Sequence, residues 1–247
     1  MEKKTHFREE ERYWVNKPYA FVTLFHSEKE NEKKYYVVEP YLNEIEIDLQ
    51  DFLTGKLRTA IKYADEDIAT AGDESVRKDV IDRETKKLLQ RYDLFSGSSG
   101  GGTDVVGEIK KLLGRDVDDG DEEDGSLDGI EARPEPAVLE DDPESLSEYQ
   151  VEKLLYLLKR DFIGYERIDG IKHDINVEDI SCDGYNSPVF VYHSDYEQII
   201  TNIYHDEEEL DDFVVKLAQR SGKGISKRRP QVDATLPDGS RSQLTLG

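Results

Sequence analysis

The sequence predicts an α+β fold, and three observations carry that prediction. Two short β-rich runs near the start, Tyr19 to His26 (YAFVTLFH) and Lys33 to Glu39 (KKYYVVE), flank a polar SEKENEK and then give way to helical spacing. A helix-periodic stretch from Glu144 to Gly164 is followed by a series of short strand-like runs. The end of the chain places Pro237-Asp238-Gly239 between two short alternating runs, the pattern of a hairpin turn.

In chain order, residues 1–12 are densely charged and read as a frayed start. The runs 19–26 and 33–39 are strand-like, and the polar segment between them makes them a hairpin, closed by Pro40. Leu42, Ile45, Leu49, Phe52, Leu53, Leu57 and Ile61 then recur at three- and four-residue intervals, the stripe of an amphipathic helix. Asp73 caps a second helix with Val76, Val80, Leu88, Tyr92 and Phe95 on one face. Ser96 to Gly102 (SGSSGGG) is a linker by composition, and a short helix is expected around Val105 to Leu113. Ser147 and Gln150 form a capping box ahead of Val151, Leu154, Leu155, Leu158 and Phe162. Strands are expected over 170–175, 177–181 and 188–193, with the run Gln198 to Tyr204 after them. Asp206 opens a helix through Leu217 that ends at Ser221-Gly222, and strands over 231–236 and 240–246 close the chain. The organisation predicted is a hairpin-helix module over 1–95, an acidic linker with a short helix over 96–144, and a mixed-sheet domain over 145–247.

Composition narrows the function classes. The 247 residues carry a net charge of −23, with 36% charged and 36% hydrophobic residues. That charge excludes non-specific binding of the whole chain to nucleic acid or anionic lipid. Self-repulsion of this size is relieved by salt, because the Debye length shrinks to roughly 3 Å at 1 M. A salt-loving cytoplasm follows, the alternative being one very acidic linker in an ordinary protein; unfolding on dilution into low salt separates the two. Cys182 is the single cysteine, so neither a disulfide framework nor a cysteine-based zinc site is possible within the chain. No apolar run approaches the roughly 18 residues of a membrane span, and MEKKTHFREEERYW is no signal peptide. The expected location is cytoplasmic, with membrane contact only through a partner.

Most candidate chemistry fails on spacing. Asp116 to Asp128 (DVDDGDEEDGSLD) is acidic, but aligning Gly120 or Gly125 with the calcium-loop glycine puts Arg115 or Gly120 at the first ligand position. A solvated spacer is the better reading. Gly222-Lys223 invites a phosphate loop, yet Leu217 stands where the first glycine belongs and Gly224 where Ser or Thr belongs. This is a helix C-terminal cap. The five histidines are scattered one by one and read as packing or surface residues, and Cys182, which has no partnered base, reads as structural. What remains is arginine. From Phe213 onward seven Lys/Arg face two Asp/Glu, about +5 in a chain whose remainder carries about −28. Arg228 and Arg229 precede a strand and Arg241 follows the tight turn, which can bring these groups to one edge. Guanidinium forks suit phosphate oxygens, and equally suit carboxylates of the protein itself or a neighbour.

Three stretches resemble the archaeal secretion-type ATPase superfamily, which includes archaellum motor ATPases and the ATPases of archaeal pili and type II/IV secretion. They are GYERIDGIKHDINVEDISCDGYNSPVFVYH, QRSGKGISKRRPQVDATLPDGSRSQLTLG, and ERYWVNKPYAFVTLFH with KYYVVEPYLNEIE. The order VEDISCDG, RRP, LPDGSR carries the resemblance better than any one piece. It implies a cytoplasmic homo-hexamer of two-domain subunits, with an N-terminal domain swinging on a RecA-like motor domain beneath a polytopic membrane platform protein. It also implies ATP and Mg2+ for the full-length family member, and nucleotide-facing roles for Arg241, then Arg229, then Arg228. The chain departs from that pattern by ending at Gly247 without Walker A, Walker B or a catalytic glutamate. It is therefore expected to be the N-terminal region alone, binding neither ATP nor Mg2+ and turning over no ATP by itself. Within the superfamily the archaellum role is favoured, the pilus or secretion role being the alternative, alongside other archaellum or pilus components as partners. A reading of another class is a non-enzymatic acidic adaptor for a basic partner.

Overall fold

Strand formation at the start of the chain sets the architecture. The computed structural model describes residues 6–62, 74–92, 94–95 and 146–247. Among these are a mixed six-stranded sheet, a separate two-stranded sheet and five α-helices. The chain forms two units, one of residues 1–39 with 165–247, the other of residues 40–164.

In the first unit, β1 (Phe7–Asn16), β2 (Ala20–Ser27) and β3 (Glu32–Val38) form an antiparallel meander. β4 (Val177–Cys182), β5 (Pro188–His193) and β6 (Glu197–Tyr204) form another. Parallel pairing of Lys34 with Ile200 and Tyr35 with Thr201 joins them in the order β1-β2-β3-β6-β5-β4. The N-terminal hairpin and the later strands therefore share one sheet, and the units divide at 39/40 and 164/165 rather than at 95 and 145.

Residues 7–16 are an edge strand, where a frayed end was expected. Tyr13 and Val15 turn into the core of the sheet, and the charges lie along the edge, where they discourage further pairing. Glu10 receives both Arg8 (3.1 Å) and Lys33 (2.8 Å). The core of this sheet gathers Val22, Leu24, Tyr35, Val37, Val189, Val191, Ile199 and Ile203 on one face. Residues 170–175 are likewise not a strand. They begin with a short helix, α4 (Asp169–Lys172), preceded by a 3-10 turn over 166–168. Ile171 is buried on the sheet, whereas Ile175 is 96% exposed, so no alternating face exists there. Gly170 sits so close that a Cβ on it would lie 2.7 Å from Val37 Cγ1.

Helix α5 (Glu207–Arg220) opens on the expected box, with Asp206 capping the Glu209 N–H and Glu209 returning to the Asp206 N–H. It covers the hairpin of β7 (Gln231–Thr235) and β8 (Arg241–Thr245) through Phe213, Val214, Leu217 and Ala218 against Val232, Ala234, Leu236 and Leu244.

The second unit is helical: α1 (Glu44–Lys62), α2 (Glu74–Arg91) and α3 (Glu148–Phe162). Leu53, Leu57, Ile81, Leu89, Leu154 and Leu158 make its core. The Ser147/Gln150 box caps α3 as the sequence indicates. A second box, unread in the sequence, caps α1: Asn43 Oδ1 accepts the Glu46 N–H and Glu46 Oε2 accepts the Asn43 N–H, both at 2.9 Å. Glu46 is also the buried counter-ion of Lys153, at 2.9 Å with both side chains 1% exposed. The Asp73 cap, the SGSSGGG linker, the short helix at 105–113 and the acidic run lie outside the described residues.

Candidate functional site

The basic end of the chain begins where α5 stops. The Lys223 N–H reaches Ala218 O (2.8 Å) and the Gly222 N–H reaches Gln219 O (2.9 Å), the paired bonds of a Schellman cap. Backbone groups here are used to end a helix and are not arranged to cradle phosphate, as the failed spacing implies. Ser226 and Arg229 then exchange backbone hydrogen bonds (3.1 and 2.8 Å), and the Leu246 N–H bonds to Pro230 O (2.8 Å), which fixes the entrance to β7. Lys223, Lys227, Arg228 and Arg229 are all exposed on this loop.

Register decides which arginines can work together. Gln231 pairs with Thr245 at one end of the hairpin, and Thr235 pairs with Arg241 at the other. Four residue steps separate those ends, roughly 13 Å of strand, and Arg229 stands two residues further out. The tight turn therefore does not gather the three arginines at one edge. Arg228 and Arg229 belong to the open end and Arg241 to the turn end. Along both strands the inward positions Val232, Ala234 and Leu244 are buried, so Arg241 lies on the outward face with Asp233, Thr235 and Gln243. Among the described residues, no carboxylate pairs with Arg228, Arg229 or Arg241.

The turn itself is held from outside the hairpin. The Gly239 N–H bonds to Leu236 O (2.9 Å) and the Leu236 N–H to Ser240 O (2.8 Å), with Gly239 at φ +86°, a conformation that favours glycine. Lys172, the last residue of α4, places Nζ 2.7 Å from Asp238 Oδ2 and 2.7 Å from Ser240 Oγ. Burial pushes the Asp238 carboxyl up, but the Lys172 ammonium and the Ser240 N–H and hydroxyl outweigh it and hold the group at about 2. Lys172 Nζ also lies 5.1 Å from the Tyr165 ring centroid. Sequence reasoning missed Lys172 entirely; Asp238 was legible only as a turn residue.

Elsewhere in the same unit, Asp174 accepts hydrogen bonds from Tyr13 (2.6 Å) and Tyr35 (2.7 Å) through Oδ2 and from the Asn176 N–H (2.9 Å) through Oδ1. The Asp195 N–H donates to His193 Nδ1 (3.1 Å), so a neutral His193 carries its proton on Nε2, directed at the Tyr13 oxygen (3.2 Å). Burial first, then the hydrogen bond to Asp174 and its charge, push both phenols well above the usual tyrosine range. These groups are internally satisfied and read as structure. His205 is buried and stacked on Phe213 at 5.7 Å; burial, then Arg167, lowers its pKa. Cys182 is exposed at the end of β4 rather than packed. Among the described residues no group of three or more His, Cys, Asp or Glu could hold a metal ion, and no helix is long and apolar enough to cross a membrane.

Comparison with known proteins finds a family model similar to the start of the chain. Residues 1–41 match the family model described as PilB3-like, N-terminal. The matched residues cover the β1–β3 meander. Three Methanocaldococcus jannaschii proteins, each named as uncharacterized, are also similar. MJ1288 is 46% identical over 111 residues, 44% of this chain and 44% of its own length. MJ0900 is 42% identical over 94 residues, 38% of this chain and 17% of its own. MJ0781 is 40% identical over 73 residues, 30% of this chain and 10% of its own. The matches thus span less than half the length of each of these relatives.

Proposed function

We propose that this chain is the N-terminal region of an archaeal pilus-assembly or secretion ATPase and that its C-terminal hairpin faces ATP held by a RecA-like motor domain. The observation that carries this reading is Arg241: exposed, without a carboxylate partner among the described residues, and set on a turn anchored to the rest of its unit. A guanidinium carried on an anchored backbone suits the equatorial oxygens of a transferring phosphoryl group, and positioned donors of this kind are worth a large share of turnover. Arg229 and Arg228, at the other end of the hairpin, contact a different part of the assembly from the phosphate met by Arg241. In this reading the protein works as a cytoplasmic homo-hexamer docked under a polytopic membrane protein, with ATP and Mg2+ as its cofactors.

The PilB3-like match favours the pilus or secretion role. An archaellum motor is the second reading, supported by the overall similarity of the acidic N-terminal half to that branch of the superfamily. Mg-ATP turnover by the longest product of the gene tests the nucleotide role. Arg241→Ala should reduce it roughly hundredfold or more; unchanged turnover overturns the role.

A further inference from the structure

Arg241 follows a turn whose shape is set by more than its own sequence. A Pro-Asp-Gly turn fixes its local backbone, and buried Leu236 packs the hairpin under α5, but the exposed residues 237–239 beyond it need a polar link to the body of the unit. The Lys172 ammonium supplies that link. It binds the Asp238 carboxylate and the Ser240 hydroxyl, both at 2.7 Å, while the Ser240 N–H returns to Asp238 Oδ1 at 2.9 Å. The three groups form a closed ring that ends one residue before Arg241. Lys172 is rooted in turn: Ile171 is 1% exposed in the sheet core, and Gly170 is pressed against Val37. A rigid path therefore runs from the six-stranded sheet through α4 to the tip of the hairpin.

We propose that Lys172 is a positioning residue for Arg241, acting through Asp238 and Ser240 to hold the guanidinium where it meets a phosphate group. The inference rests on reading Arg241 as a phosphate contact. Lys172 is 16% exposed and engaged with Asp238 and Ser240, so its own charge serves the turn rather than the ligand. Ordering the backbone that carries Arg241 before binding removes a cost that a loose turn would meet each time.

Two substitutions that break the same link have opposite effects on local charge, which separates positioning from electrostatics. Lys172→Met removes a cation near Arg241; Asp238→Asn removes an anion. The probe is inorganic tripolyphosphate at millimolar concentration and low salt, titrated into arginine-labelled protein while the Arg241 Nε–H resonance is followed by NMR. Positioning predicts that both variants weaken the Arg241 response about two- to tenfold, that Lys172→Arg restores it, and that the Arg228 and Arg229 responses stay as in the wild type. Tighter binding by Asp238→Asn with weaker binding by Lys172→Met means a simple charge effect and overturns the proposal while leaving the phosphate reading intact. A wild-type Arg241 resonance that does not move overturns both. Asp238→Asn keeps side-chain size, so it decides the matter even where Lys172→Met fails to fold.

Discussion

The two units bury charge in opposite ways. In the helical unit the Glu46 carboxylate meets a full cation, Lys153, with Gln150 Nε2 at 3.2 Å and the Asn43 N–H completing its shell; Lys153 also donates to Tyr41 O at 2.8 Å. In the sheet unit the Asp174 carboxylate has no cation against it among the described residues and is held by two phenols and a backbone N–H. The difference teaches what each unit tolerates. An ion pair fails abruptly when one member goes, because the survivor is left as an uncompensated buried charge. A carboxylate held by neutral donors loses its partners one by one.

The largest expected effect breaks the pair. Glu46→Ala should cost about 3–5 kcal/mol in denaturant unfolding, whereas Glu46→Leu with Lys153→Met should return most of that loss. A double variant as unstable as the single one would refute the ion-pair account. Next comes Asp174→Asn, which faces an amide N–H2 against phenol donors and should cost about 1.5–3 kcal/mol. A third comparison uses pH. Because the folded pKa values of Tyr13 and Tyr35 are raised, their contribution is complete below about pH 10, the unfolded tyrosine value, and is lost as pH rises beyond it. The sheet unit should therefore loosen in strong alkali more steeply in wild type than in a Tyr13→Phe/Tyr35→Phe variant, as read by amide exchange in β3. The smallest effect belongs to Asp238. Its folded pKa is depressed, so its contribution is present above the unfolded value of about 3.9 and fades as pH falls towards about 2. Its side chain is 37% exposed, so solvent screening keeps this local, visible as faster exchange at Gly239 and not as global unfolding.

Much of this was legible in the sequence wherever one short-range rule governed. The Ser147/Gln150 box, the leucine stripe of α3, the Asp206 start of α5 and the Pro-Asp-Gly turn are all local patterns, and all are present. β1 was obscured because an edge strand carries charges where a central strand carries valines. α4 was obscured because Gly170 is chosen for its approach to Val37, a contact no periodicity reveals. The joining of β3 to β6 is parallel and spans most of the chain, beyond the reach of any local pattern. At the candidate site, the arginines were visible but their arrangement was not. Strand arithmetic puts Arg229 and Arg241 at opposite ends of the hairpin, whereas a tight turn suggested convergence. Lys172 carried no signal at all.

The pairing of Tyr35 with Thr201 has a consequence for synthesis. The meander that contains β3 is made first, and its partner β6 follows about 166 residues later. At 5–20 residues per second, β3 waits roughly 8 to 33 s with an open edge. Lys33 and Lys34 stand on that waiting strand, and their charges suit an edge that must not find the wrong neighbour.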